Sequence, residues 1–149
     1  MASAPREVWG DLATTAFVEA SHLFKTLDPD ARRDLIQLAR VVAFAPDEVV
    51  SGEADEGFYL VVDGAASARV SAAGGTVEIA RLERGAFFGE ARVLGTGRRS
   101  SLVALGDVTL VAFAAPVVSA LSARFPKMKK LLEVVLAARE RTAAQAAAS

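Results

Sequence analysis

The middle of the chain alternates short apolar runs with turn residues, a pattern typical of β-strands. Between residues 41 and 113, runs rich in valine and other strand-forming residues are separated by glycine and aspartate. Ala73-Gly74-Gly75 indicates a tight hairpin, and Gly64 marks a further turn. Such closely spaced strands favour an antiparallel sandwich or roll. The predicted strands are 41–45, 49–51, 58–63, 65–71, 76–82 and 101–113, the last with a turn at Gly106.

The region before these strands predicts two helices. Residues 9–20 carry apolar positions at helical spacing, including Leu12, Ala16 and Phe17. Asp28-Pro29-Asp30 is typical of a helix start, because proline is tolerated at the first helical position. Both helices are expected to pack on the strand region.

The region after the strands also predicts two helices. The first is short and spans 116–123, and the second begins at Pro126 and runs through Arg141. Apolar residues of the second helix form one stripe, which favours packing on the same domain. The alanine-rich tail, 142–149, is expected to fray. The stripe consists of Met128, Leu131, Leu132 and Val135.

Length and composition predict one domain over residues 1–149. Within it, the residue patterns place the β roll at about 41–113 and the C-terminal helices at about 116–145. The chain has 149 residues, a mass of 15.6 kDa and a net charge of −1. This charge gives no basic footprint for nucleic acid, so no nucleic-acid partner is expected for this chain. The absence of cysteine excludes disulfides and thiolate metal sites and is compatible with the cytoplasm.

No membrane or export segment is expected. Residues 102–123 are apolar apart from Asp107, but Gly106-Asp107 and Pro116 interrupt the run. A membrane helix needs about 20 unbroken apolar residues. The N-terminus lacks a basic region followed by an apolar run, so no signal peptide is predicted. The expected location is cytoplasmic.

The segment 87–103, which leads into the last predicted strand, carries the candidate chemistry. Gly89 permits a close backbone approach, and N–H groups of residues 89–91 can point at an anion. Glu90 adds a carboxylate, and Arg99 brings a guanidinium after the turn at 95–97. A guanidinium binds two phosphate oxygens, whereas a carboxylate accepts hydrogen bonds. The segment therefore indicates a ligand with a phosphate and a hydroxyl, such as a ribose phosphate.

The spacing of this segment resembles that of a known family. Phe88-Gly89-Glu90, then eight residues, then Arg99-Ser100-Ser101-Leu102-Val103 is similar to the phosphate-binding cassette of cyclic nucleotide-binding domains. Residues 52–64 are similar to the family's glycine-rich turn and following strand. The resemblance covers roughly residues 17–141. It implies an α+β fold: an eight-stranded antiparallel β jelly roll flanked by N-terminal helices and a long C-terminal helix.

The resemblance also implies a set of ligand contacts. Glu90 is expected to accept a hydrogen bond from the ribose 2′-hydroxyl, and Arg99 is expected to pair with the cyclic phosphate. Backbone or hydroxyl contacts are expected from the neighbouring residues of the cassette, and the complete candidate set is Gly89, Glu90, Ala91, Arg99, Ser100 and Ser101. In the family the last helix closes over the base and in some members pairs with a second protomer. The candidate lid contacts on this helix are Glu133 and Leu136.

Two residues depart from the family pattern. Arg92 stands where the family usually has a small alanine, and Arg98 stands where it usually has proline. Arg92 has two interpretations at this point. It either supplies a counter-ion for the phosphate, or it fills the pocket and abolishes binding.

The sequence predicts a regulatory sensor that binds cAMP or cGMP and repositions its last helix. cGMP stays a candidate ligand, because the Ser100 hydroxyl, directly after Arg99, could reach an edge of the base. One alternative is a ligand-free domain that binds other proteins. Another is the sensory fragment of a transcription factor, although no helix-turn-helix follows the last helix in this sequence. The partners are then the nucleotide and an unidentified effector protein, with a homodimer through the last helix possible.

No catalytic residues, metal or further cofactor are predicted. His22 is the only histidine and has no clustered carboxylates or cysteine around it in the sequence. Glu90 has no histidine or thiol to share proton transfer, and an activated nucleophile needs an adjacent base. Neither a Walker-type loop nor a G-x-G-x-x-G loop occurs. The chain is therefore predicted not to be an enzyme.

Overall fold

The strands form a two-sheet antiparallel roll. The computed structural model describes the backbone of residues 6–8 and 12–148, and the side chains over residues 16–146. One sheet has the order β1-β2-β9-β4-β7 and the other has the order β3-β8-β5-β6. The strands are β1 (Arg6–Val8), β2 (Arg40–Phe44), β3 (Val49–Ser51), β4 (Gly57–Asp63), β5 (Ala66–Ala72), β6 (Gly75–Leu82), β7 (Phe87–Phe88), β8 (Ser101–Ala104) and β9 (Val108–Ala114).

The jelly roll expected from the sequence is confirmed. The eight strands β2 to β9 form it, and β1 adds to the edge beside β2. The predicted strand 101–113 is divided into β8 and β9 at the Gly106 turn. The sequence did not predict β1 or the two-residue β7, because both are too short to show an alternating pattern.

The helices lie before, within and after the roll. They are α1 (Leu12–Ala20), a 3-10 helix (Phe24–Thr26), α2 (Pro29–Gln37), α3 (Glu90–Leu94), α4 (Ala115–Arg124) and α5 (Pro126–Ala148). Asp28 caps α2, its side chain accepting the Ala31 N–H at 2.8 Å. Trp9, in the predicted first helix, lies outside the described residues.

The last helix is longer than predicted. α5 continues to Ala148, whereas the sequence indicated an end at Arg141 and a frayed tail. Alanine has the highest helix propensity, and Ala143 is buried. Packing therefore stabilises, as part of α5, a segment that composition alone predicted to be frayed.

The structure has two apolar cores, one between the roll and its helices and one between the two sheets. Strand β4 contributes to both, because Phe58 and Leu60 pack toward the helices while Tyr59 and Val61 pack between the sheets. Met128 and Leu132 of α5 are fully buried in the helix-side core. The apolar stripe of α5 therefore packs on its own domain, and α5 also contacts α3, β5 and β6.

No helix in the described part of the chain has the length and apolar character needed to cross a membrane. The longest, α5, carries charged residues along most of its length.

Candidate ligand-binding site

A tight backbone crossing fixes the start of α3. Gly89 has φ 113°, in the left-handed region that favours glycine, and precedes α3 as its N-cap. A Cβ at Gly89 would lie 2.7 Å from the Gly57 carbonyl oxygen and 3.1 Å from the Phe58 Cα. Any other residue would therefore push α3 away from β4. Gly95, with φ 71°, ends the same helix.

The short helix opens onto a cleft of about 610 Å³. Its wall comprises the β3–β4 loop at 53–56, the first residues of α3, the loop at 95–100 and the start of α4. Five of the six candidate residues line this one cleft: Gly89, Glu90, Ala91, Arg99 and Ser100. The sixth, Ser101, begins β8 opposite Arg69 and is not part of the wall.

Arg99 lines the cleft, and its guanidinium binds none of the described residues. Its side chain is exposed, and it makes no hydrogen bond or ion pair with any residue over the described ranges. Its neighbour Arg98 is bound to the last helix, because the Arg98 backbone N–H donates to Glu140 Oε1 at 2.8 Å. The Arg98 and Glu140 side chains also form an ion pair at 3.8 Å. Of the two adjacent arginines, Arg99 is the one free to bind an anion.

Glu90 is buried and already paired with the last helix. Its Oε2 accepts a hydrogen bond from Arg139 Nη1 at 2.7 Å and from the Gly89 N–H at 3.1 Å. Only 13% of the Arg139 side chain and 7% of the Glu90 side chain are exposed. The Arg139 guanidinium also lies over the Phe87 ring, 5.7 Å from its centre. This contact joins α5 to the candidate site.

Sequence reasoning did not identify Arg139, although a signal was present. Leu132, Leu136 and Arg139 recur at helical spacing, so an arginine continues the buried stripe of α5. A cation in a buried stripe needs a buried acceptor. Glu90 is that acceptor only because of how α5 packs on the roll, which the sequence alone does not specify.

Beside the cleft, α5 closes the space over strands β5 and β6. The remaining cavity there is about 10 Å³, no more than one water molecule requires. Leu136, Arg139 and Glu140 line it from the helix side. Of the two candidate lid residues, Leu136 is buried at this position, whereas Glu133 is exposed and lines neither space.

Arg92 is part of the wall of the cleft and does not fill it. Its Nη1 donates to the Ser51 hydroxyl at 2.6 Å and to the Gly57 carbonyl at 3.0 Å. Its Nη2 donates to the carbonyls of Gly52 at 2.9 Å and Ser100 at 3.3 Å. The guanidinium is therefore committed to protein acceptors from three different segments of the chain.

A small polar network continues from Arg92. Asp55 lies 3.8 Å from the guanidinium and accepts hydrogen bonds from the Tyr59 hydroxyl at 2.5 Å and the Ser51 hydroxyl at 2.8 Å. Burial raises the pKa of Asp55, but these hydrogen bonds and the charge of Arg92 outweigh burial, and its pKa lies below the usual value. Burial, reinforced by Asp55, raises the pKa of Tyr59. Burial also lowers the pKa of Arg92.

Comparison with known proteins assigns the fold to a family. The family model described as cyclic nucleotide-binding domain matches residues 41–125, more than half of the chain. The chain belongs to this family. Domains of the cyclic nucleotide-binding family are generally regulatory sensors.

Solved structures share the fold of this cyclic nucleotide-binding domain. The Thermus thermophilus catabolite activator protein is 28% identical, with a TM-score of 0.64 over 83% of this chain and 60% of that one. The regulatory domain of Toxoplasma gondii PKA, solved with cAMP, is 22% identical, with a TM-score of 0.65 over 80% of this chain and 46% of that one.

A third structure carries a different ligand. It is the regulatory subunit of a cAMP-independent protein kinase A from Trypanosoma cruzi bound to guanosine, 21% identical, with a TM-score of 0.62 over 83% of this chain and 49% of that one. The chain thus spans about half of the length of these proteins. A comparison with curated protein sequences gives no match.

Within the described ranges, no group of three histidine, aspartate or glutamate side chains is arranged to hold a metal ion. His22 is exposed and lies outside the cleft wall.

Proposed function

We propose that this domain binds a cyclic nucleotide, cAMP or cGMP, in the cleft at α3. Arg99 pairs with the cyclic phosphate, and Glu90 accepts a hydrogen bond from the ribose hydroxyl. The observation that carries the proposal is that Glu90 and Arg99 line one cleft of about 610 Å³, and that the Arg99 guanidinium has no partner among the described residues. Ser100 and the residues beside Gly89 supply further contacts from the same wall.

Backbone donors at the start of α3 support the phosphate contact. The N–H groups of Arg92 and Val93 donate to the Gly89 carbonyl. Those of Glu90 and Ala91 come earlier in the helix and have no acceptor within it. These two amides lie beside the cleft, where phosphate oxygens would satisfy them. Arg99 adds the charge that makes such a contact favour an anion.

The same site explains how binding would move the last helix. Arg139 of α5 donates to the Glu90 carboxylate that the ribose hydroxyl would use. A ligand that takes over Glu90 weakens the hold of α3 on α5, so ligand binding and α5 docking are linked equilibria. The output is a change in α5, sensed by an effector protein or by a second copy of the chain. We place this regulatory role in the cytoplasm.

Calorimetric titration of the purified chain with cAMP, cGMP and guanosine tests the proposal. Guanosine is included because one structure of the same fold binds it. We expect micromolar or tighter binding of a cyclic nucleotide. Arg99→Ala should weaken it by roughly ten- to hundredfold, since a hydrogen bond to a charged group is lost. Arg33→Ala, on the exposed face of α2, is the matched control and should bind as the wild type does. Absence of heat with every ligand would contradict the proposal.

A second candidate function is a ligand-free protein-interaction domain. Two observations favour it: α5 already satisfies Glu90, and the space over β5 and β6 is closed to about 10 Å³. Such a domain would show no thermal stabilisation by any nucleotide. A cyclic nucleotide sensor would be stabilised increasingly as the ligand concentration rises, with the logarithm of that concentration once it exceeds the dissociation constant. Thermal unfolding with and without nucleotide therefore separates the two functions.

A further inference from the structure

Arg92 is the most densely bonded charged side chain at the cleft. It donates four hydrogen bonds, of which three go to main-chain carbonyls, at Gly52, Gly57 and Ser100. Its guanidinium also lies over the Phe88 ring, 5.1 Å from the ring centre. Only 15% of the side chain is exposed. A partly buried cation with this many protein acceptors has little capacity left for a ligand.

The acceptors of Arg92 come from separate parts of the cleft wall. Gly52 and Gly57 flank the β3–β4 loop that supplies residues 53–56 to the wall. Ser100 directly follows Arg99. Arg92 itself lies on α3, two residues after Glu90. One planar side chain thus connects the loop, the helix that carries Glu90 and the strand entry that carries Arg99.

The geometry requires a guanidinium. Its two terminal nitrogens diverge in a fixed plane, and each donates to two acceptors on different segments. A lysine ammonium has the same charge but is a single point at the end of a flexible chain. It can replace one or two of these bonds but cannot span all the segments.

We propose that Arg92 is a positioning residue that fixes Glu90 and Arg99 on one cleft by tying α3, the β3–β4 loop and the Ser100 backbone together. The inference rests on the proposed function, because it assigns Arg92 a part in forming that same site. It differs from both interpretations that the sequence left open. Arg92 acts through the acceptors that it holds, and the phosphate charge is met by Arg99.

The test compares Arg92→Lys and Arg92→Met with the wild type by calorimetric titration with cAMP at several salt concentrations. We expect both variants to bind at least tenfold more weakly than the wild type, because lysine replaces at most one or two of the four bonds and methionine replaces none. The salt dependence of the dissociation constant should stay as in the wild type, because Arg99 still supplies the charge. Ser51→Ala, which removes one acceptor and no charge, should weaken binding about threefold.

Two results would overturn the proposal. Wild-type affinity in Arg92→Lys, together with a reduced salt dependence in Arg92→Met, would show that Arg92 acts as a counter-ion of the phosphate. Wild-type affinity in both variants would show that the bonds of Arg92 matter only for stability.

Hydrogen exchange tests the inference separately from the proposed function. In Arg92→Lys, amides of residues 52–57 and 97–100 should exchange at least tenfold faster, while amides of α2 keep their rates. This expectation holds even if the wild type binds no nucleotide, in which case the proposed function fails and the positioning role stands. Unchanged exchange in both segments would overturn the positioning role.

Discussion

Two arginines near Glu90 are held in different ways: Arg92 in the wall of the cleft and Arg139 on α5, beside the small space over β5 and β6. Arg92 and Arg139 have similar side-chain exposure, 15% and 13%. Arg92 donates chiefly to main-chain carbonyls, which cannot leave without moving the backbone. Arg139 donates to one carboxylate, Glu90, for which a ligand hydroxyl can compete. Two arginines of similar burial thus have different roles. Arg92 fixes part of the cleft wall, whereas Arg139 makes a contact that the proposed ligand can replace.

Under the proposed function, burial alone does not determine which contacts a ligand can switch. What matters is whether the acceptor has an alternative donor. Glu90 has one in the proposed ligand. The proposed ligand supplies no donor to the carbonyls around Arg92, of which Gly52 also accepts the Asp55 N–H. Variants on the two sides should therefore separate into effects on stability and effects on ligand affinity.

Glu90→Ala should give the largest effect on stability. It leaves the Arg139 cation buried without its carboxylate, and breaking a buried pair costs about 3–5 kcal/mol. Urea denaturation of Glu90→Ala, Arg139→Ala and the double variant measures this cost and the coupling between the two residues. Glu83→Ala, which breaks a pair of exposed side chains, is the control and should change stability by less than about 1 kcal/mol. A coupling near zero would contradict the pairing.

Arg92→Ala should have the next largest effect on stability. It removes four hydrogen bonds at once, but water can reach part of the wall, so we expect a loss of about 1–3 kcal/mol in the free energy of unfolding. The same urea experiment measures it beside Arg33→Ala, an exposed arginine of α2. Equal effects from the two variants would show that the wall is not fixed as described.

Arg139→Gln should sharpen the contrast by increasing ligand affinity. The variant weakens the donor that competes for Glu90, so cAMP should bind about three- to tenfold more tightly, or by about 1 kcal/mol. Arg141→Gln, exposed on the same helix, is the matched control and should leave the affinity unchanged. Weaker binding in Arg139→Gln would mean that Arg139 contacts the ligand and does not compete with it.

The smallest expected effect is on acid stability. Because the pKa of Asp55 in the folded protein lies below its usual value of 3.8, the unfolded chain takes up the proton first as the pH falls. The stabilisation by Asp55 is therefore complete above that usual value and is lost below it, as the pH passes through the folded pKa. Asp55→Asn should flatten the stability profile between about pH 5 and pH 2. An unchanged acid profile would contradict this role.

Much of the fold could be predicted from local patterns. Alternating apolar residues placed β2 to β6, and Asp28-Pro29 marked the start of α2. The spacing of Glu90 and Arg99 identified a segment whose residues do line one cleft. These features depend on residues close together in the sequence, so local patterns are sufficient to predict them.

The long-range contacts of the site could not be predicted. Arg139 reaches Glu90 across 49 residues, and Arg92 reaches Gly52 across 40. Both depend on how α3 and α5 pack on the roll, which helical spacing alone does not determine. The same limit applies to the end of α5, where the burial of Ala143 extends the helix beyond its predicted end.

The exchange of Glu90 between Arg139 and a nucleotide can be tested by measuring the position of α5 directly. The chain has no cysteine, so Ala144→Cys on α5 and Ala73→Cys at the β5–β6 turn give two unique, exposed sites for spin labels. Saturation with cAMP should shift the distance distribution between the labels, and Arg99→Ala should reduce the shifted fraction at the same concentration. An unchanged distribution in protein that calorimetry shows to be saturated would contradict the exchange.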